Sequence, residues 1–186
     1  MIALGFLMIL RPMVRDGAPG DYETRRGDIL LTDGAYGAAI AEFDRALTVS
    51  PAHRGAIMGR AIALMESGQS SAAEEEFGRL IRLLGTSARD DPTGMATLAA
   101  AYANRGILRD RDGRVDDALA DYRRALGLDA GAVAGPGLVD RVLHGAPQAS
   151  SVAKRAAYLE EQLALPPQQQ RLHIPERDAR ERMHKP

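Results

Sequence analysis

The sequence predicts an all-α fold: a right-handed α-solenoid of three helix–turn–helix repeats, closed by C-terminal capping helices and followed by an extended tail. Three observations carry this expectation. Small and aromatic residues recur on a fixed beat. Gly34, Ala39, Phe43 and Ala46 return 34 residues later as Gly68, Ala73, Phe77 and Leu80. They return again as Gly113, Ala118, Tyr122 and Ala125, 45 residues further on, which is 34 plus an insertion of 11. A 34-residue period with small residues at fixed points is the mark of stacked helical hairpins, in which no hairpin buries its apolar face alone. The composition agrees: 45% of the 186 residues are hydrophobic but only 4% are aromatic, with no Trp. The packing must then come from Ala, Leu, Ile, Val and Met. Finally, Gly27, Ala61 and Gly106 stand seven residues before each turn glycine, where small side chains let paired helices approach closely.

The same composition narrows the function. The formal net charge is −1 with 26% charged residues, which does not suit a general nucleic-acid binder. Aromatic stacking platforms for bases are scarce. The absence of Cys excludes disulfides, thiolate zinc sites and cysteine catalysis. Of the cationic residues only Lys154 and Lys185 are Lys; the rest are Arg.

Along the chain, residues 1–19 open with MIALGFLMIL, ten unbroken apolar residues, followed by Arg11, Pro12 and Arg15. That run is too short to span a bilayer, which takes about 20 residues. It has the length of a signal-peptide core but lacks a preceding basic region and a small-x-small cleavage site. It reads as a signal or anchor remnant, an interfacial hook, or a segment packed on the first repeat. Membrane proximity, or a periplasmic or membrane-associated location, is the expectation, because an exposed run of this kind otherwise invites aggregation. A cytoplasmic location with the run packed away is the alternative.

The repeats are expected at about 20–53, 54–85 and 92–130, as antiparallel pairs near 20–49, 53–84 and 92–128. The insertion lies in LGTSARDDPTG. There Asp91-Pro92 reads as N-cap and first helical residue, starting a long helix from Pro92 to about Asp112. Its extra turns, with Met95 and Leu98, are either added core or a docking surface. Residues 131–165 are read as capping helices. A short one spans about 137–144, and a second starts at Ser150 or Ser151 with Val152, Ala156, Leu159 and Leu163 on one face. Pro166-Pro167 ends it, and 166–186 form a polar tail that Leu172, Ile174 and Met183 could pin to the domain.

Arg26, Arg60 and Arg105 recur in register, each followed sixteen residues later by an acid: Glu42, Glu76 and Asp121. This spacing sets the two on facing helices of one hairpin and predicts three intra-repeat ion pairs that fix register. Phe77 is expected to be the wedge between the second and third hairpins. His53, His144, His173 and His184 have no partners at metal-ligand spacing, so no metal and no cofactor is expected. Arg26-Gly27-Asp28 falls inside a helix, the wrong geometry for an adhesion tripeptide. Asp90-Asp91 and Asp116-Asp117 open helices, where acids offset the macrodipole. The string RDRDGR, from Arg109 to Arg114, reads as a solvated helix end. Nothing in the chain reads as an active site.

On these residues the chain resembles the tetratricopeptide repeat family. The first repeat carries Gly27, Leu30, Ala39, Phe43, Ala46 and Pro51. The second carries Ile57, Ala61, Leu64, Ala73 and Phe77, and the third Tyr102, Gly106, Ala118, Tyr122 and Ala125. The departures are Glu23 at the first aromatic position, Gly85 and Ala130 where Pro is usual, and the three arginines where Leu is usual. GPGLVDR and RAAYLEEQLALPP also resemble segments of bacterial members. The resemblance covers about 20–130 and implies a non-catalytic protein-binding scaffold whose first helices line a concave groove. Projected onto this chain, the groove is lined by Arg25, Asp28, Met58, Gly59, Ile62, Met65, Asn104, Ile107 and Arg111. The family's carboxylate clamp of Lys, Asn, Asn, Lys and Arg is replaced here by Thr24, Asp28, Gly59, Ala100 and Asn104. The expected partner is therefore a helical or apolar segment of another protein, lying on Met58, Ile62, Met65 and Ile107; the alternative is that these side chains pack on the chain's own N-terminal segment or tail. The expected role is an adaptor or accessory subunit. The alternative is a structural protein that self-assembles through its repeats and its N-terminal segment.

Overall fold

The structure, a computed structural model, describes residues 17–85, 91–131, 133 and 152–173. They form seven helices: α1 (Asp21–Thr32), α2 (Tyr36–Val49), α3 (Arg54–Glu66), α4 (Ser70–Gly85), α5 (Pro92–Arg111), α6 (Val115–Asp129) and α7 (Val152–Leu163). A 3-10 turn at Pro167–Gln169 follows. No strand occurs among the described residues.

The three hairpin turns are copies of one another. Gly34, Gly68 and Gly113 all take a left-handed φ of 74–80°. In each turn the glycine N–H reaches back three residues, as Gly68 N to Met65 O at 3.1 Å, and the next N–H reaches back five, as Gln69 N to Leu64 O at 2.8 Å. This is the Schellman arrangement, which satisfies orphan helix carbonyls and needs a residue that tolerates positive φ. A Cβ on Gly34 or Gly68 would meet nothing within 4 Å. Conformation, not space, demands glycine there.

Close approach sets the packing of the pairs. A Cβ on Gly27 would lie 2.5 Å from Phe43 Cε1, and one on Gly59 would lie 2.3 Å from Phe43 Cζ. Phe43 is thus wedged between α1 and α3. Gly106 stands in the same relation to Tyr122, at 2.7 Å from Cε1. Phe43, Phe77 and Tyr122 are fully buried. One core cluster joins Ala39, Phe43 and Ala46 of α2 to Ala56 and Ala63 of α3, and the main cluster runs from α3 to α7.

Helix α5 runs unbroken through Gly94. Its extra N-terminal turns are core: Leu98 is buried and Met95 packs against the main cluster. At the C-terminal end, α7 lies on α6 and buries Val152, Ala156 and Leu159. Leu172 packs partly buried on the same core. The expected short helix near 137–144, residues 1–10, Ile174 and Met183 lie outside the described residues.

The two ends of the stack differ. In the second and third repeats the positions of Ala56 and Ala63, and of Ala101 and Leu108, are buried. Their register partners in the first repeat, Tyr22 and Ile29, are 44% and 62% exposed.

Candidate functional site

Of the residues projected onto the groove, Asp28 is half-buried and the others divide into two groups. Met58, Ile62, Met65, Asn104 and Ile107 are between 0 and 5% exposed, and Gly59 is closed over by Phe43. Asn104 Nδ2 lies 3.5 Å from Met58 Sδ, tying α5 to α3 beneath the surface. Arg25 and Arg111 are exposed, and Arg111 Nη1 lies 3.4 Å from Glu66 Oε1. The sequence reading of Met58, Ile62, Met65 and Ile107 as a solvated apolar floor is therefore corrected. Gly59 admits the Phe43 ring of α2, and the larger side chains of α3 and α5 are covered within the chain. Of the clamp positions, Thr24, Gly59, Ala100 and Asn104 are buried, and the Thr24 hydroxyl donates to its own helix at Gly20 O.

The three intra-repeat ion pairs are present. Arg26 Nη2 meets Glu42 Oε1 at 2.9 Å, Arg60 Nη1 meets Glu76 Oε1 at 3.0 Å, and Arg105 Nη2 meets Asp121 Oδ1 at 2.7 Å. Their acids are held from two sides. Arg45 also pairs with Glu42, Arg79 with Glu76 and Arg109 with Asp121. The Arg45 hydrogen bond is the main reason the Glu42 carboxyl stays below its ordinary range, outweighing the opposing effect of burial. Arg114 and Arg109 do the same for Glu74, joining α4 to α5 and to the turn before α6.

Three polar contacts escaped the sequence reading. Asp110, read as part of a solvated helix end, is buried. Its Oδ2 accepts from Arg155 Nε at 2.7 Å and from the Tyr122 hydroxyl at 3.2 Å, and its Oδ1 accepts from Arg155 Nη2 at 2.8 Å. Arg155 Nη2 also donates to Leu172 O at 2.9 Å. The capping helix, the third hairpin and the chain after α7 therefore meet at one buried carboxylate. Second, His53 caps α3. Its Nδ1 accepts from Ala56 N at 3.1 Å, which places the proton of the neutral ring on Nε2, 2.9 Å from Asp21 Oδ1. This contact is the largest cause of the lowered Asp21 pKa. Third, Asp91 starts α5 as expected but closes no well-formed capping bond. Its carboxyl is held low chiefly by the Gly94 N–H and then by Arg54.

Among the described residues no group of three or more His, Asp or Glu could hold a metal ion. Among them too, no helix is long and apolar enough to cross a membrane. The arrangement offers exposed charge around a closed helical stack, the make-up of a helical-repeat scaffold. Residues 30–100 match the tetratricopeptide repeat family. Among solved structures it is similar to the first tetratricopeptide domain of Spaghetti (RPAP3) bound to the HSP90 peptide SRMEEVD. The identity is 18% and the TM-score 0.56, over 79% of this chain and 94% of that one. No curated protein matches the chain.

Proposed function

We propose that the protein is a non-catalytic scaffold, an adaptor or accessory subunit that holds one segment of another protein along the face formed by α1, α3 and α5. The observation that carries this is the fold itself: three stacked helical hairpins, with residues 30–100 matching the tetratricopeptide repeat family. That the similar solved domain holds a peptide supports a partner of the same class. Its acidic peptide is not the ligand expected on this face, because the clamp residues are replaced here.

The closed floor changes the expected chemistry. With Met58, Ile62, Met65, Asn104 and Ile107 buried, the partner meets the exposed edge at Arg25 and Arg111, and polar side chains of the segment make the first contacts. Ionic contacts between exposed groups weaken with salt, so binding should be salt-sensitive. Self-assembly by end-to-end stacking is disfavoured, because α7 already occupies the outgoing face of α6.

The test is capture of partner proteins from the source host by the wild type and by Arg25→Glu/Arg111→Glu, quantified by mass spectrometry. Loss of a specific protein from the variant, with an unchanged circular-dichroism spectrum and melting temperature, is expected. Equal recovery by both would remove this face from the proposal.

A further inference from the structure

At two of the three interfaces of the stack, one register position of the second helix carries an ion pair to the element that follows. At the first interface Asp44 of α2 pairs with Arg60 of α3, Oδ1 to Nε at 2.8 Å. At the third, the register-equivalent residue of α6 is Arg123, which pairs with Glu160 of α7 at 2.8 Å. At the second interface the same position is Gly78, 34 residues after Asp44 and 45 before Arg123. The arginine equivalent to Arg60 is still there. Arg105 spends Nε and Nη2 on Asp121, while its Nη1 lies 3.9 Å from where a Cβ on Gly78 would stand. A second guanidinium has been added: Arg82, where the first repeat has Thr48, places Nη1 3.3 Å from the same point. Around them opens a recess of about 580 Å³ lined by Ser71, Glu74, Glu75, Gly78, Arg82 and Arg105.

We propose that this notch is a carboxylate-binding site. A side-chain or terminal carboxylate of an acidic peptide takes the place that Asp44 fills in the first repeat and completes the missing inter-hairpin ion pair across Arg82 and Arg105. Guanidinium groups recognise carboxylates through paired, charge-assisted hydrogen bonds. The rest of the lining limits the ligand to a single negative charge at the notch. Glu74 is neutralised by Arg109 and Arg114, but Glu75 remains at the rim and repels a dianion such as phosphate. The notch lies between α4 and α5 and uses neither Arg25 nor Arg111, so it stands apart from the proposed contact on the face of α1, α3 and α5.

The test uses the full chain and the Nε–Hε NMR signals of its arginines. Four probes are titrated: a short capped peptide with two Glu residues, its Gln counterpart, the Gln peptide with a free C-terminal carboxylate, and inorganic phosphate. Saturable shifts at Arg82 and Arg105 are expected with the Glu peptide, none with the capped Gln peptide, and weaker shifts with phosphate. A response to the Gln peptide with a free terminus would show that a terminal carboxylate also serves. Gly78→Asp places the carboxylate in the chain itself and should weaken peptide binding at least tenfold, while melting at a higher temperature than Gly78→Ala. Arg82→Gln should weaken binding at least fivefold without lowering the melting temperature. The proposal is overturned by equal shifts with the capped Gln peptide, by tighter binding of phosphate, or by no shift at all. It is also overturned if Gly78→Asp binds as the wild type does or melts below Gly78→Ala.

Discussion

Replacing Asp110 by Ala should be among the most damaging single substitutions in the protein. The carboxylate is 2% exposed and faces an Arg155 side chain that is 4% exposed. Its removal deletes two hydrogen bonds from Arg155 and one from Tyr122, and leaves a guanidinium buried without its counter-charge. Breaking a buried pair on one side costs about 3–5 kcal/mol, because the remaining charge stays desolvated. For a chain of this size each kcal/mol lowers the melting temperature by roughly 2–4 °C, so the expected drop is on the order of 6–20 °C. The double variant Asp110→Leu/Arg155→Met should recover most of the loss, since a buried pair replaced by apolar groups of similar volume is often neutral or better. Urea denaturation of Asp110→Ala and of the cycle formed by the wild type, Asp110→Leu, Arg155→Met and their double variant, with hydrogen exchange near Leu172, reads both the loss and its recovery. Exchange near Leu172 should quicken in both single variants, because Arg155 holds its carbonyl. A loss below about 1 kcal/mol for Asp110→Ala would mean that the pair is solvated and that α7 does not close the stack.

Phe77→Ala should cost about 3–5 kcal/mol in chemical denaturation, as expected for a fully buried aromatic ring; a loss under 1 kcal/mol would place the ring at the surface. Ile62→Glu should lower the stability of the free protein by at least about 2 kcal/mol, because a carboxylate is forced into a buried apolar site; a wild-type melting curve would reopen the floor as a solvated groove. The carboxyls of Asp21, Glu42, Glu74 and Asp91 are held below their ordinary values of 3.8 for Asp and 4.5 for Glu. The folded state therefore binds fewer protons than the unfolded chain in that range. Their contribution is full above about pH 5 and is lost as the pH falls through the lowered folded values. The melting temperature should drop on acidification below about pH 5, and one that rose there would contradict the assigned pairs.

Much of this architecture was legible in the sequence because the repeat writes it three times. The recurrence of Arg26, Arg60 and Arg105 with acids sixteen residues on was enough to pair them across each hairpin. Asp91-Pro92 placed the start of α5, since proline is tolerated only at a helix's first turn. What stayed hidden depends on neighbours distant in sequence. Asp110 sits among charged residues and reads as solvated until Arg155, 45 residues later, is brought against it. The capping role of His53 stayed hidden because capping by an imidazole, unlike capping by Ser or Asp, has no strong sequence signature. The apolar groove positions were correctly assigned to the first helices, but their burial is set by how closely three hairpins stack. The second interface shows the reverse case, since the missing acid at Gly78 can be read only against the copies at Asp44 and Arg123.

The central claim, that the stacked first helices are the partner-binding face, is tested most directly by hydrogen exchange of the protein alone and bound to the partner that co-purifies with it. Added protection is expected in α1, α3 and α5, greatest in the turns of helix around Arg25 and Arg111. Protection confined to α2, α4 and α6, with α1, α3 and α5 exchanging as in the free protein, would contradict it.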